Sequence, residues 1–225
     1  LGVKLYQNLS REAFVAGVED ARARGLQVYA HVPFSMSLDD VLALHIDSIE
    51  HLTGFDRALA PAPQSAWDEE RWVHADMARL PALAQRVAES DVWNLATFVT
   101  YQDAPRAFAD MAAAEAAPLY RYAGLRLRRN WRMNYDIVRA ERDPRAAWSM
   151  IERAHAVRLR VIAALCAAHA PLLIGTDAPQ PFVYPGFSLH DEFSYHREAG
   201  LSAAAILRID TREAAHFLHR DGEFG

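Results

Sequence analysis

The chain has 225 residues, 52% of them hydrophobic, and a formal net charge of −5 at pH 7. This length and apolar content are enough for one sizeable α/β domain, and the net acidity argues against nucleic-acid binding. The single cysteine, Cys166, excludes an internal disulfide. No apolar run reaches the ~18 residues of a membrane span, and no secretory signal is visible. We therefore expect a cytoplasmic protein that does not contact a membrane.

Short apolar runs alternate with amphipathic stretches along the first half of the chain. This alternation predicts βα units and a parallel sheet. Gly25 and Pro33 are the expected ends of a helix and a strand. In chain order the sequence predicts a strand at 1–6, a helix at 11–24, a strand at 26–31, a short helix at 37–44, a strand at 47–52, a loop at 55–73, a helix at 73–90, a strand at 92–100, one or two helices at 103–130 followed by an irregular stretch, a long helix at 144–169, a strand at 172–178, and helices at 189–199 and 202–218.

Lys4 is the only lysine among the 24 lysine and arginine residues of the chain. It lies in the apolar run 1–6, where we expect it to be buried. An amine differs from a guanidinium because it can lose its proton and react. Lys4 can therefore do chemistry that an arginine cannot. The alternative is that one lysine remains by chance in an arginine-rich chain.

Four residues suited to metal chemistry end four of the predicted strands: Lys4, His31, His51 and Asp177. In a parallel barrel the side chains at the carboxyl ends of the strands converge on one face. Imidazole and carboxylate groups are ligands for zinc and other divalent first-row ions. Each residue also has a purely structural interpretation, as a strand-end histidine, a partner of Glu50 or a turn former. The joint pattern favours a metal site.

Several segments around these residues resemble the amidohydrolase superfamily, in particular its imidazolonepropionase-like and Xaa-Pro dipeptidase (prolidase)-like branch. The resemblance extends over nearly the whole chain and is weakest at 100–150. The segments that carry it are Val-Lys-Leu-Tyr-Gln-Asn-Leu-Ser10, Val-Tyr-Ala-His-Val-Pro33, Asp-Ser-Ile-Glu-His-Leu-Thr-Gly54, Leu-Ile-Gly-Thr-Asp-Ala-Pro179, Pro-Gly-Phe-Ser-Leu-His-Asp-Glu192, Ala-Gly-Leu-Ser202 and Thr-Arg-Glu-Ala-Ala215.

This resemblance implies a (β/α)8 TIM-type barrel of which the chain holds strands 4–8. It implies that a carbamylated Lys4 bridges two metal ions and that His31 and His51 bind the second ion. Asp177 would bind the first ion and carry the proton. The implied reaction is attack by metal-activated hydroxide on the C–N amide bond of a cyclic amide or a small peptide. Tyr6 and His190 are candidates for substrate binding.

The chain departs from the family pattern in two ways. It contains no His-x-His pair, which the family carries on strand 1. It also begins with Leu1, directly on a strand-like run. We therefore expect residues 1–225 to be the C-terminal portion of a barrel domain that lacks strands 1–3 and the small β-domain, and we expect the chain to be inactive alone.

The expected cofactor is a divalent metal, zinc in the first place, with one or two ions. The expected partner is a small-molecule or dipeptide substrate, and self-association into a homo-oligomer is left open. Two other functions remain open. Lys4 could form a Schiff base in a lyase barrel, which explains the lone lysine but neither histidine. Alternatively, the chain could be a truncated fragment without catalytic activity.

Overall fold

The fold is known from a computed structural model that describes residues 1–60 and 68–224. Its centre is a five-stranded sheet in which every neighbouring pair of strands is parallel and the strand order follows the chain. This confirms the predicted α/β class. The strands are β1 (Gly2–Leu5), β2 (Gln27–Ala30), β3 (Ser48–Glu50), β4 (Trp93–Leu95) and β5 (Leu172–Leu173).

Helices connect the strands, as parallel pairing requires. Ser10 caps the first helix by accepting a hydrogen bond from the Ala13 N–H, and Ser37 and Asp40 form the predicted capping box. The helices are α1 (Arg11–Ala23), α2 (Leu38–Leu42), α3 (Phe55–Leu59), α4 (Asp68–Val73), α5 (Leu80–Glu89), α6 (Phe98–Ala109), α7 (Met111–Ala116), α8 (Leu125–Glu141), α9 (Pro144–Ala167), α10 (Phe187–Glu198), α11 (Ala203–Arg208) and α12 (Ala214–Phe217). The segments Met77–Arg79 and Pro118–Tyr122 are 3-10 helices, and Ile209–Glu213 is a π-helix that joins α11 to α12.

The structure differs from the sequence prediction mainly in five segments. The predicted helix at 73–90 begins only at Leu80, after the 3-10 helix Met77–Arg79. The predicted loop at 55–73 contains α3 and α4, and its residues 61–67 lie outside the described residues. The predicted strands at 92–100 and 172–178 are shorter in the structure. The two segments pair with each other only over Asn94–Leu95 and Leu172–Leu173, and beyond these residues the backbone leaves the sheet. The irregular stretch after residue 130 is helical, since Trp131, at 1% exposure, and Tyr135 on α8 pack into a second, smaller apolar cluster.

The main core lies between the sheet and the helices, with α9 packed against α4, α5 and α6. The helix α9 contributes the fully buried side chains of Ile162 and Leu165. Because α9 is long, it also reaches past the sheet to the side where the strands end. Within the described residues, no helix is both long and apolar enough to cross a lipid bilayer.

A buried histidine lies where α6, α9 and α10 meet. The ring of His155 packs against Phe98 and Tyr195, and neither of its ring nitrogens has a hydrogen-bond partner within the described part of the chain. Burial lowers the pKa of His155 to about 4, and the positive charges of Arg158 and Arg106 lower it further in the same direction. The folded protein therefore keeps this imidazole neutral, whereas the unfolded chain protonates it near pH 6.5.

We expect His155→Phe to make the protein less sensitive to acid. A histidine with a lowered folded-state pKa contributes stability above pH 6.5 that is lost as the pH falls from 6.5 towards 4. Phenylalanine fills the same space and titrates nothing. Between pH 7.5 and pH 5, the wild-type protein should lose up to about 2 kcal/mol more free energy of unfolding than the variant loses. Urea denaturation at both pH values measures this; an unchanged difference between the two proteins would contradict it.

Candidate active site

The carboxyl ends of the parallel strands bring three of the predicted residues together. His31 directly follows β2, His51 directly follows β3, and Asp177 lies four residues beyond β5. The imidazole rings of His31 and His51 meet edge to face, with their centroids 4.8 Å apart. His51 Nε2 lies 3.8 Å from Asp177 Oδ2. Residues that are up to 146 positions apart in the chain thus share one rim of the sheet.

Lys4 lies on β1 beside this group, but it is exposed, which corrects the expectation that it is buried. The reason is that β1 is an edge strand and pairs only with β2 in this sheet. The Nζ of Lys4 lies 5.4 Å from the centroid of the Tyr6 ring. Its positive charge acts on both histidines, whose pKa values it helps to lower.

Each histidine donates its Nδ1–H to a neighbouring side chain. His31 Nδ1 lies 2.7 Å from Gln7 Oε1, which can only accept. His51 Nδ1 lies 2.6 Å from Thr97 Oγ1, and that hydroxyl already donates its own proton to the Ala96 carbonyl. Both imidazoles therefore carry their proton on Nδ1 and present an unprotonated Nε2 to the rim. This is the arrangement that metal-binding histidines adopt in proteins.

Burial keeps both imidazoles neutral. Burial lowers the pKa of His31 to about 4, and the charges of His51 and Lys4 lower it further, against a small opposing effect of Asp177. Burial also lowers the pKa of His51 to about 3, with Lys4 as the second cause. Neutral imidazole is the form that binds cations, so both rings are available as ligands at neutral pH.

The backbone at the rim is held in an unusual conformation. His51, Thr97 and Asp177 have positive φ angles of 61°, 49° and 54°. Residues other than glycine rarely adopt this left-handed region, and each costs of order 1–3 kcal/mol unless the surroundings impose it. Because three such residues lie at one rim, the surrounding structure must hold their backbone in this unfavourable conformation.

Glu192 on α10 stabilises the segment that carries Thr97. Its buried carboxylate accepts hydrogen bonds from the backbone N–H groups of Phe98 and Val99, at 3.0 and 2.9 Å. These are the first N–H groups of α6, which has no side-chain cap of its own. Burial raises the pKa of Glu192 to about 8, although the two N–H groups act in the opposite direction. Glu192 thus caps α6 from a distant element and fixes Thr97 next to His51.

The sequence analysis did not identify Gln7, Thr97 or Glu192. Glu50, which the sequence suggested as a structural partner for a histidine, accepts a hydrogen bond from Ser48 at 2.6 Å. A threonine directly after a strand and an acid on the inner face of a helix are common in α/β proteins. Their roles depend on contacts across 46 and 94 residues of chain, which no local pattern encodes.

The two predicted substrate-binding residues lie in different places. The ring of Tyr6 packs against His31, with centroids 4.5 Å apart, so Tyr6 lies at the rim. His190 is exposed on α10, and its ring contacts Phe193 on the same helix. In residues 1–60 and 68–224, no hydrogen bond, ion pair or ring contact joins His190 to the rim residues.

The donor set fits a divalent cation in its chemistry. As they stand, the described His, Cys, Asp and Glu side chains form no group of three that could hold a metal ion. His31 Nε2 is nevertheless buried and without a partner among the described residues. The 3.8 Å between His51 Nε2 and Asp177 Oδ2 is slightly more than the ~3.3 Å between two ligands of a tetrahedral zinc ion.

Comparison with known proteins places this geometry in a structural family. No protein-family model and no curated protein matches the chain, but several solved structures do. A bottromycin amidohydrolase is 29% identical, with a TM-score of 0.68 over 97% of this chain and 46% of its own. A Xaa-Pro dipeptidase with bound methionine is 17% identical, with a TM-score of 0.60 over 100% and 45%. An amidohydrolase is 20% identical, with a TM-score of 0.55 over 100% and 44%.

These likenesses confirm the predicted resemblance to the amidohydrolase superfamily, and a Xaa-Pro dipeptidase is among the proteins that share the fold. The chain spans a little under half the length of each of these proteins. The resemblance to imidazolonepropionase-like enzymes in particular stays a prediction.

We expect Glu192→Gln to lower the free energy of unfolding by about 1–3 kcal/mol. The amide can accept from only one of the two α6 N–H groups and turns a donor towards the other, which leaves a buried donor unsatisfied. The matched control is Glu198→Gln, at the exposed end of the same helix, which should stay within about 0.5 kcal/mol. Urea denaturation at pH 9, above the pKa of about 8 at which Glu192 ionises, measures both; equal losses for the two variants would rule out a capping role.

Proposed function

We propose that this chain is part of a metal-dependent hydrolase that cleaves a C–N amide bond in a cyclic amide or a small peptide. The observation that carries the proposal is the pair of neutral imidazoles at one rim. Each of them has its Nδ1–H engaged; within the described residues His31 Nε2 has no partner, and His51 Nε2 lies 3.8 Å from the Asp177 carboxylate. The names of the structural neighbours, two amidohydrolases and a dipeptidase, support the same reaction class.

His31, His51 and Asp177 would hold the metal, for which zinc suits the ligand set, with one or two ions. Lys4 would join them as a carbamate, whose oxygen atoms can bind a cation that the amine cannot. Gln7 and Thr97 would hold the two imidazole rings in the binding orientation.

The bound cation would supply Lewis acidity, which polarises the amide carbonyl and lowers the pKa of water to about 7. The residues of the chain supply the proton transfer and the orientation. The Asp177 carboxylate would accept the proton of the attacking water and deliver it to the leaving nitrogen. Tyr6, beside His31, would contact the substrate at the mouth of the site.

We further propose that β1–β5 are strands 4–8 of a (β/α)8 barrel and that residues 1–225 are the C-terminal portion of that barrel domain. The supporting feature is the open sheet, in which β1 and β5 each pair with one strand only. A barrel closes by pairing its edges with further strands. The remaining strands and a small β-domain would come from other parts of the protein and would supply the His-x-His ligands.

The Schiff-base alternative gains no support from the geometry. It gives no role to the two neutral imidazoles or to Asp177 at the same rim. An inactive truncated fragment remains the competing interpretation. It predicts neither tight metal binding nor turnover, even at high protein concentration.

In the full-length protein that contains this chain, we expect His31→Ala, His51→Ala and Asp177→Ala each to abolish amide hydrolysis and to lower the metal content. The physical reason is that each variant removes one metal ligand. Elemental analysis of purified protein and a hydrolysis assay on a panel of cyclic amides and dipeptides measure the two effects. Full activity in a metal-free preparation would refute the proposal. His190→Ala, on the exposed face of α10, should retain its metal.

We expect Thr97→Val to weaken metal binding by about 10–100-fold, as the loss of a residue that orients a metal-binding histidine usually does. Valine has the shape of threonine but cannot accept the His51 Nδ1–H, so the ring loses its fixed tautomer and orientation. Competition with a fluorescent chelator measures the affinity. The control, Thr211→Val, lies on an exposed helical turn. An unchanged affinity in a folded Thr97→Val protein would remove Thr97 from the site.

A further inference from the structure

A cavity of about 100 Å³ opens between the rim and the helices that follow β3 and β4. His31 and His51 line one end of it. Trp72 on α4, Tyr101 on α6 and Arg158 on α9 line the other. The same space therefore contacts the two imidazoles and a group of side chains to which the proposed reaction has so far given no role.

Arg158 is the unusual member of this group. Its side chain is buried, at 2% exposure, and its guanidinium lies between two aromatic rings. The Cζ atom is 4.5 Å from the ring centroid of Tyr101 and 5.1 Å from that of Trp72. Within the described residues, Nε and Nη1 have no hydrogen-bond partner. Buried charges are normally paired, and an unpaired one is costly.

The carboxylates around Arg158 are already paired with other arginines. They influence it from a distance, but none forms an ion pair with it among the described residues. The pairs are Asp56 and Asp68 with Arg71, and Glu69 with Arg142 at 3.6 Å. Arg158 therefore contributes a positive charge that the described protein does not neutralise locally.

The other arginine of the cavity, Arg57, has a structural role. Its Nη2 donates to the backbone carbonyls of Val32, Pro33 and Met36 and so holds the turn that follows His31. Arg57 is thus engaged with the backbone, whereas Nε and Nη1 of Arg158 have no partner among the described residues. Two carboxylates, Asp56 and Asp68, also line the cavity, but both are paired with Arg71, so Arg158 is the cation there that can pair with an anion.

One aromatic ring separates Arg158 from the rim. The Tyr101 ring contacts Arg158 on one side and lies 6.1 Å, centroid to centroid, from the His51 ring on the other. A small ligand can therefore reach from the imidazoles to the guanidinium along a wall of aromatic carbon. Planar amide groups and short aliphatic chains pack well on such a wall.

We propose that Arg158 is the anion-binding end of the substrate pocket and that the substrate carries a carboxylate close to its amide bond. The ligand carboxylate accepts a charge-assisted hydrogen bond from the Nε–H or from the Nη1–H; these two donors point to different sides of the guanidinium, so one carboxylate takes one of them. Trp72 and Tyr101 hold the guanidinium in place by cation–π contact. The assignment of the ligand as a substrate rests on the proposed hydrolase function; the carboxylate site itself does not.

The test is a binding measurement on metal-free, full-length protein with three small probes. N-acetylglycine carries an α-carboxylate, N-acetylglycinamide is its neutral counterpart, and the α-amide of N-acetylaspartate carries only a side-chain carboxylate. Calorimetric titration should show at least about tenfold tighter binding of one carboxylate probe than of the neutral amide, as expected for a hydrogen-bonded charge. The carboxylate probe that binds more tightly shows whether the site prefers the carboxylate of a peptide C-terminus or that of an acidic side chain.

Arg158→Gln should remove this preference, and Arg158→Lys, which keeps the charge but loses the planar guanidinium between the two rings, should retain only part of it. Arg160→Gln, two residues away on the exposed face of α9, is the matched control and should keep the full preference. Equal binding of charged and neutral probes by wild type overturns the proposal without any variant. So does a preference that survives Arg158→Gln.

The outcome is separable from that of the proposed reaction. A carboxylate preference in a protein that hydrolyses no amide supports the Arg158 site and refutes the hydrolase. Amide hydrolysis by a protein that shows no carboxylate preference supports the hydrolase and refutes the Arg158 site. Because binding is measured without metal, loss of a metal ligand cannot imitate the loss of Arg158.

Discussion

The hydrogen bond from His51 Nδ1 to Thr97 is the interaction on which the candidate site depends. The Thr97 hydroxyl can accept that proton because its own proton is committed to the Ala96 carbonyl. A single acceptor therefore sets the tautomer of a buried imidazole and directs its lone pair at Asp177. If that hydroxyl turned, the ring would present an N–H to the rim and could not bind a cation.

The energy that holds this arrangement comes from outside the rim. Left-handed backbone at His51 and Thr97 opposes folding. Glu192 offsets part of this cost, because it satisfies two N–H groups that α6 would otherwise leave unpaired inside the core. The stabilisation thus comes from α10, a helix that follows β5 at the end of the strand order. The site is consequently a product of the whole domain and does not reside in any one βα unit.

The sequence predicted the features that depend on local periodicity and on chemistry at strand ends. The strand and helix alternation, the Ser37 capping box and the meeting of His31, His51 and Asp177 follow from such patterns. The burial of Lys4 was predicted wrongly, because an apolar strand pattern does not reveal that its strand lies at a sheet edge. The helical stretch beyond residue 130 was missed because its apolar positions pack on a separate cluster. Gln7, Thr97 and Arg158 were out of reach, since each owes its role to a contact between distant segments.

The proposed role of Arg158 would place substrate specificity on a helix, outside the loops. Substrate selection in barrels is usually sought in the loops after each strand, yet Arg158 and Tyr101 lie on α9 and α6, which also form the core. A buried cation that forms no ion pair within the described residues destabilises the fold, because an apolar residue of similar size would serve the core better. The position of Arg158 between two aromatic rings, in the same cavity as the His31 and His51 imidazoles, is explained most economically by an anion from outside the chain. The binding of that anion would then stabilise the folded protein in proportion to its concentration.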